Sequence, residues 1–126
     1  MNPIDSKMRV GTIGELLVQL RLLQHDVQAA PALKDSGNDL IAVRGSSFRA
    51  IQVKTTTLDR FDCSDLTNKK YHIAALVRLA GEDEDLRLDS CTIYLLLKKQ
   101  VKKSYYKPDE LKKFTLRPEV IDRLFR

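Results

Sequence analysis

The stretch SGNDLIAVRGSSFRAIQVKTT, residues 36–56, contains two short apolar runs separated by a small polar loop. Residues 40–43 and 48–55 are rich in β-branched, aromatic and aliphatic side chains, and the loop RGSS between them has the length of a hairpin connection. The pattern therefore predicts two antiparallel strands. Each run has polar residues near one end that neither strand needs for packing.

Three of these polar residues are expected to meet at one edge of the sheet. Side chains alternate along a strand, so Gln52 and Lys54 point to one face, opposite the apolar residues that flank Gln52. Antiparallel neighbours run in opposite directions, so Asp39 at the start of the first strand can approach Lys54 near the end of the second. An acid, an amide and an ammonium group would then converge.

This group suits the hydrolysis of a phosphodiester bond. That reaction needs a carboxylate that holds a hard divalent cation through oxygen. It also needs a cation, such as a lysine, that positions water and offsets charge on the scissile phosphate.

A helix is predicted upstream, over residues 8–24. Apolar residues recur at helical spacing along one face, and two more form a second strip: Ile13, Leu16, Leu17, Leu20 and Leu23, then Val18 and Leu22. The two strips predict a helix that is covered on more than one side. Glu15 precedes Val18 by one turn, so it borders the second strip and is expected to lie near the interior.

The rest of the chain predicts further strands and short helices. Residues 27–33 favour a short edge strand broken by Pro31, and the polar stretch DRFDCSDLTNKK has room for one helical turn. Residues 71–79 and 92–97 favour two strands on either side of an acidic hairpin loop. PDELKKF and RPEVIDRLF begin as short helices do, with proline and acidic residues in the first turn. The expected fold class is α/β, with a mixed central sheet, an N-terminal helix and short C-terminal helices.

Length and composition limit the possible classes of protein. A chain of 126 residues with 43% hydrophobic and 31% charged residues is expected to form one globular domain, residues 1–126. No apolar run approaches the roughly 20 residues needed to span a bilayer, and the N-terminus lacks the apolar core of a secretory signal, so a cytoplasmic protein is expected. Cys63 and Cys91 lack the spacing of a zinc site and are expected to be reduced and structural. His25 and His72 are expected to be capping or packing residues.

Basic residues are concentrated in the C-terminal region, residues 98–126. This region holds ten Lys and Arg against four Asp and Glu, a net charge of +6, whereas the whole chain has +5. Lysines mixed with tyrosines suit phosphate contacts and base stacking, although a solvated charged surface explains the same composition. The candidate nucleic-acid-binding residues are Lys69, Lys70, Lys98, Lys99, Lys102, Lys103, Tyr105 and Lys107.

The motifs GTIGELL, GND and QVK, in this order, resemble the PD-(D/E)XK nuclease superfamily. The resemblance is strongest to its Holliday-junction-resolvase branch and to small homing endonucleases, and it covers residues 10–56 closely. It implies a restriction-endonuclease-like core, Mg²⁺ or Mn²⁺ as cofactor and DNA as substrate. By that likeness Glu15, Asp39, Gln52 and Lys54 take the active-site positions, and the carbonyl of Val53 supplies a further metal ligand.

The sequence departs from the family pattern at two positions. Asn38 stands where the proline of the family name would be, and Gln52 replaces an acidic metal ligand. An amide oxygen coordinates Mg²⁺ less strongly than a carboxylate. Some groups that resemble this one carry glutamine here, and Glu15 could restore the missing charge.

Each candidate residue also has a simpler interpretation. Thr12 to Glu15 fits a capping box, Asp39 after SGN fits a turn, and Lys54 fits a charge that discourages edge pairing of strands. The three motifs in order favour the nuclease interpretation. The alternatives are a DNA-binding module that keeps the fold without catalysis and a protein-interaction or immunity-type domain. Cuts on both strands need two active sites, so a homodimer or higher homo-oligomer is expected of an active enzyme.

Overall fold

A computed structural model describes residues 6–32, 39–82 and 85–126. These residues contain two α-helices, α1 (Ser6–Leu23) and α2 (Pro118–Leu124). Their strands are β1 (Gln28–Pro31), β2 (Leu40–Arg44), β3 (Ser47–Thr56), β4 (Phe61–Asp62), β5 (Ile73–Arg78), β6 (Gly81–Glu82), β7 (Asp85–Leu86), β8 (Thr92–Leu97) and β9 (Tyr105–Tyr106). Short 3₁₀ segments span Leu66–Asn68, Leu88–Ser90, Lys98–Gln100 and Pro108–Phe114.

Five strands form the central sheet, in the order β1-β2-β3-β5-β8. Neighbouring strands are antiparallel except β3 and β5, which run parallel. The predicted mixed sheet with an N-terminal helix and short C-terminal helical segments is therefore confirmed. The parallel pairing of β3 with β5 was not predicted, because the segment between them holds no α-helix that would have signalled a crossover.

Both faces of the sheet are covered at β5 and β8, which explains their continuous apolar sequences. Alternate residues of each strand enter two separate apolar clusters. The first cluster lies between the sheet and the two α-helices and includes Leu17, Val18, Leu22, Ile51, Val53, Ile73, Leu95, Ile121 and Leu124. The second lies on the opposite face, beneath β4, β9 and the 3₁₀ segments, and includes Phe61, Cys63, Leu66, Tyr71, Leu76, Leu96, Tyr106 and Leu111.

The hairpin predicted from residues 40–55 is present. β2 and β3 pair with Leu40 opposite Ile51 and Arg44 opposite Ser47, and Gly45 takes the positive φ of 61° that the tight turn needs. Because Ile51 and Val53 enter the first cluster, Gln52 and Lys54 lie on the opposite face of β3, as alternation predicts.

Helix α1 packs against the rest of the described protein on one face only, so the prediction that it is covered on more than one side is wrong. Leu17, Val18 and Leu22 are buried, but Leu16 and Leu20 are 58% and 47% exposed. The sheet contacts one side of the helix, and in the described part of the chain nothing buries the other. The second apolar strip of the sequence therefore faces the core, and part of the first strip faces solvent.

The remaining sequence predictions have mixed outcomes. The predicted edge strand is β1, a shorter element at the edge of the sheet, while Leu33 and Asn38 lie outside the described residues. His72 caps the sheet as expected, because its Nδ1 accepts the amide of Ala50 at 2.8 Å. Both cysteines are free and buried, and burial raises the pKa of the Cys63 thiol to about 11. Within the described ranges, no helix is long and apolar enough to cross a membrane.

Candidate active site

Asp39 lies just before β2 and connects the start of this strand to the middle of β3. Its backbone amide donates to the carbonyl of Ile51 at 3.1 Å, and its Oδ2 accepts the Val53 amide at 2.8 Å. The carboxylate thus accepts a hydrogen bond in place of a backbone carbonyl, just beyond the last paired residues of β2 and β3. The same oxygen accepts Nε2 of Gln52 at 2.8 Å, so the carboxylate is fixed by two bonds.

Gln52 is a buried polar side chain, 5% exposed, in the middle of the sheet. Its Nε2 is satisfied by Asp39, but its Oε1 is buried without a hydrogen-bond partner. A buried, unpaired amide oxygen is unusual, because such a group costs about 1–3 kcal/mol. This unpaired oxygen can serve as a metal ligand, and it lies beside the Asp39 carboxylate.

Glu15 reaches this place from α1 because the helix lies very close to β3. A Cβ added at Gly14 would stand 1.8 Å from Oγ1 of Thr55, so only glycine allows this approach. Burial, followed by the negative charge of Asp39, raises the pKa of the Glu15 carboxyl. Glu15 therefore lies within electrostatic range of the Asp39 carboxylate, at the open end of the β2–β3 hairpin.

Lys54 lies two residues beyond Gln52 on the same face of β3, and its ammonium binds a different carboxylate. Its Nζ is 2.6 Å from Oδ2 of Asp65, which also lies 3.3 Å from Nζ of Lys69. The structure therefore brings Asp39, Gln52 and Val53 into direct contact, with Glu15 within electrostatic range. It places Lys54 beside them, held by Asp65.

Two solved structures are similar to this chain over most of its length. One is a bacterial homing endonuclease, I-Ssp6803I, with a TM-score of 0.65 and 14% identity, covering 95% of this chain and 91% of that one. The other is Hjc, a Holliday junction resolvase from the archaeal hyperthermophile Archaeoglobus fulgidus, with a TM-score of 0.59 and 13% identity, covering 88% and 93%. The chain shares its fold with these two nucleases. No family model and no curated protein sequence matches it.

The fold shows that two of the simpler interpretations of the site residues are wrong. Helix α1 begins at Ser6, so Glu15 lies in its third turn and cannot form a capping box with Thr12. Strand β3 is central in the sheet, so Lys54 does not protect an exposed edge. Asp39 does precede a strand, but its carboxylate bonds to β3 and does not serve only a local turn.

The oxygen donors of the site suit a hard divalent cation. Asp39, Glu15 and the free Oε1 of Gln52 are the kinds of ligand that Mg²⁺ and Mn²⁺ take, and the backbone of Val53 lies at the same place. Within residues 6–32, 39–82 and 85–126, no three His, Cys, Asp or Glu side chains form a cluster that could hold a metal ion. The donors fit the type of ion, and one of them, Oε1 of Gln52, is a neutral amide oxygen.

The predicted nucleic-acid-binding residues fall into two groups. Some are engaged within the protein: Lys69 pairs with Asp65, Lys98 donates to the Lys69 carbonyl, and Lys103 pairs with Glu110. The others are exposed: Lys70, Lys99, Lys102, Tyr105 and Lys107. The guanidinium of Arg60 lies 5.0 Å from the ring centre of Tyr105, a pair that offers a cation and an aromatic face together.

Gly14, Asp65 and Arg60 belong to the site region but were not predicted from the sequence. A glycine inside a helical pattern usually marks a close approach, and this signal was present directly before Glu15. Arg60 and Asp65 lie in irregular segments on either side of the two-residue strand β4, which have no periodicity in the sequence. Their positions follow from the three-dimensional structure alone.

Glu15→Gln is expected to raise the melting temperature of the metal-free protein by a few degrees at neutral pH. The raised pKa of Glu15 means that its ionised form destabilises the folded state. This destabilisation grows as the pH rises above the ordinary value of 4.5 and is absent in more acidic solution, where both proteins are neutral at this position. Thermal melts in EDTA across this pH range measure the difference.

Glu110→Gln is the matched control, with an expected effect of the opposite sign. The hydrogen bond from Lys103, then the amide of Lys107, lowers the pKa of Glu110, so its charge stabilises the fold above that pKa. A lower melting temperature for Glu15→Gln at neutral pH would show instead that Glu15 makes a stabilising contact.

Proposed function

We propose that this protein is a metal-dependent DNA endonuclease that hydrolyses phosphodiester bonds, with branched or structured duplexes as candidate substrates. The nuclease fold supports this proposal. The observation that carries it is the oxygen cluster between the start of β2 and the middle of β3, where Asp39 contacts both Gln52 and Val53 and lies within the electrostatic range of Glu15.

Asp39, Glu15, Oε1 of Gln52 and the Val53 carbonyl would hold Mg²⁺ or Mn²⁺. When bound, the ion would polarise the scissile phosphate and lower the pKa of an attacking water. Asp39 is already oriented by two hydrogen bonds, so little rearrangement of the protein is needed to present its second oxygen.

Lys54 supplies the positive charge of the proposed site. Its side chain is 25% exposed and lies on the same face of β3 as Gln52. There it would offset negative charge that develops on the phosphate and would orient water. Two cuts on opposite strands require two such sites, so the active form is proposed to be a homodimer or higher homo-oligomer.

A second candidate is a DNA-binding module that keeps the nuclease fold without catalysis. The hydrogen bond from Gln52 to Asp39 favours it, because the amide satisfies one carboxylate oxygen without a metal. Gln52 also stands where the PD-(D/E)XK pattern has an acidic ligand. Under this proposal the exposed basic residues of the C-terminal region bind DNA. The contacts among Asp39, Gln52 and Val53 then stabilise the fold only.

Cleavage assays on linear, nicked and four-way DNA, with and without Mg²⁺ or Mn²⁺, separate the two candidates. An endonuclease is expected to cut at least one substrate only when the metal is present, and Lys54→Ala is expected to lose most of this activity. Binding of DNA without cutting, equal for both proteins, would favour the binding module.

A further inference from the structure

One oxygen of Asp65 binds two lysines beside the proposed active site. Oδ2 lies 2.6 Å from Nζ of Lys54 and 3.3 Å from Nζ of Lys69. Partial burial opposes ionisation of Asp65, but the hydrogen bond and charge of Lys54 and the charge of Lys69 outweigh it, so the pKa of this carboxyl is lowered. The Asp65 carboxylate is therefore an anion that binds two ammonium groups.

The loop that carries Asp65 is held firmly in place. Cys63 and Leu66 on either side of it are buried in the second apolar cluster, at 1% and 0% exposure. The Cys63 amide donates to the carbonyl of Ser104 at 2.7 Å, and the Leu66 amide donates to the carbonyl of Cys63 at 3.1 Å. Asp65 itself makes no capping bond to the following 3₁₀ turn, so its carboxylate is free to bind cations.

Lys54 and Asp65 line an open cleft of about 480 Å³ between the end of β3 and this loop. The cleft is far larger than the roughly 30 Å³ that one water occupies, so it has room for a phosphate group and its hydration. Its lining holds three cationic side chains, those of Lys7, Lys54 and Arg60. The guanidinium of Arg60 also lies over the exposed ring of Tyr105.

A carboxylate and a phosphodiester present the same chemistry to an ammonium group, because both are anionic oxygen acceptors. A phosphate that enters the cleft therefore competes with Asp65 for Lys54 and Lys69. Exposed ion pairs contribute little net stability to a fold, so replacing Asp65 with a phosphate at these lysines costs the protein little stability.

We propose that the cleft is a subsite for one phosphate of a DNA strand, and that Asp65 occupies the lysines in place of that phosphate when DNA is absent. This inference rests on the proposed function for its ligand class and deepens it. Asp65 weakens DNA binding, because each phosphate contact by Lys54 or Lys69 first requires release from Asp65. The carboxylate thus sets the affinity of the protein for DNA without touching the reacting atoms.

Asp65→Asn tests the proposal by a binding measurement in EDTA, where no cleavage occurs. Fluorescence anisotropy with a labelled four-way junction, over about 50 to 200 mM salt, gives the affinity and its salt dependence. The variant is expected to bind about three- to fivefold tighter at the middle of this range. The plot of log affinity against log salt should be steeper than that of the wild type, because wild-type binding exchanges ion pairs within the protein for ion pairs with DNA.

Two further variants control for charge and geometry. Asp62→Asn makes the same charge change in the same cleft, but Asp62 bonds to Ser64 and not to a lysine, so a smaller effect is expected. Asp65→Glu keeps the charge and should retain the wild-type slope. Thermal melts verify folding, and Asp65→Ser repeats the charge removal with a different side chain.

Unchanged or weaker binding by both Asp65→Asn and Asp65→Ser, at an unchanged melting temperature, would overturn the proposal. An equal gain for Asp62→Asn would also overturn it, since general charge would then explain the effect. If the wild type cleaves DNA but removal of the Asp65 charge does not tighten DNA binding, the nuclease function holds and the Asp65 proposal fails. If removal of the charge tightens binding but no cleavage occurs, the phosphate subsite belongs to a DNA-binding module. If no variant binds DNA at any salt, both proposals fail.

Discussion

Asp39→Asn is expected to lower DNA cleavage by about a thousandfold or more while leaving the fold intact. The asparagine oxygen can still accept the Val53 amide and Nε2 of Gln52, which Asp39 accepts at 2.8 Å each. The variant loses the negative charge that would hold the metal, and with it several kcal/mol of stabilisation of the transition state. Single-turnover cleavage, isothermal calorimetry with Mn²⁺ and a thermal melt measure the three consequences.

Asp39→Ala separates the structural role of this carboxylate from its proposed chemical role. Alanine leaves two buried donors without an acceptor, so the free energy of unfolding should fall by about 2 kcal/mol or more relative to Asp39→Asn. Both variants should be equally inactive. Cleavage by Asp39→Asn near the wild-type rate would remove Asp39 from the active site and leave it as a structural acceptor.

The part of the site that follows from local rules could be predicted from the sequence. The alternation of side chains along one strand places Gln52 and Lys54 on the same face, and a hairpin brings Asp39 to their strand. These relations depend on a few neighbouring residues and one turn. The structure has the hairpin, its turn and the contact between Asp39 and Gln52.

The partner of Lys54 could not be predicted in this way. Asp65 lies 11 residues away, at the end of an irregular loop, and its position is set by the burial of Cys63 and Leu66 beneath β9 and the C-terminal segments. No short-range pattern encodes such a contact. For the same reason, the apolar spacing of α1 predicted a helix correctly but not which of its faces meets the sheet.

Gln52→Glu is expected to destabilise the metal-free protein and to tighten its binding of divalent metal. The change removes the donor that Asp39 accepts at 2.8 Å and places a second carboxylate at a position only 5% exposed. An uncompensated buried charge of this kind lowers the free energy of unfolding by about 3 kcal/mol or more. The melting temperature in EDTA should therefore fall by about 10 °C at neutral pH, and much less near pH 4, where the introduced carboxyl takes up a proton.

Metal should reverse this loss, because a bound ion stabilises only the folded state and does so in proportion to its affinity. Melts and calorimetry with Mg²⁺ and Mn²⁺ therefore decide between the two proposed functions. If the wild type binds metal and cleaves DNA, and Gln52→Glu binds metal more tightly, Gln52 is a ligand in a working site. If only the variant binds metal, the natural amide has replaced a metal site with a hydrogen bond, and the protein is a DNA-binding module. If neither binds metal even with DNA present, Asp39 and Gln52 form a structural pair that fastens β2 to β3, and the assignment of the site is wrong.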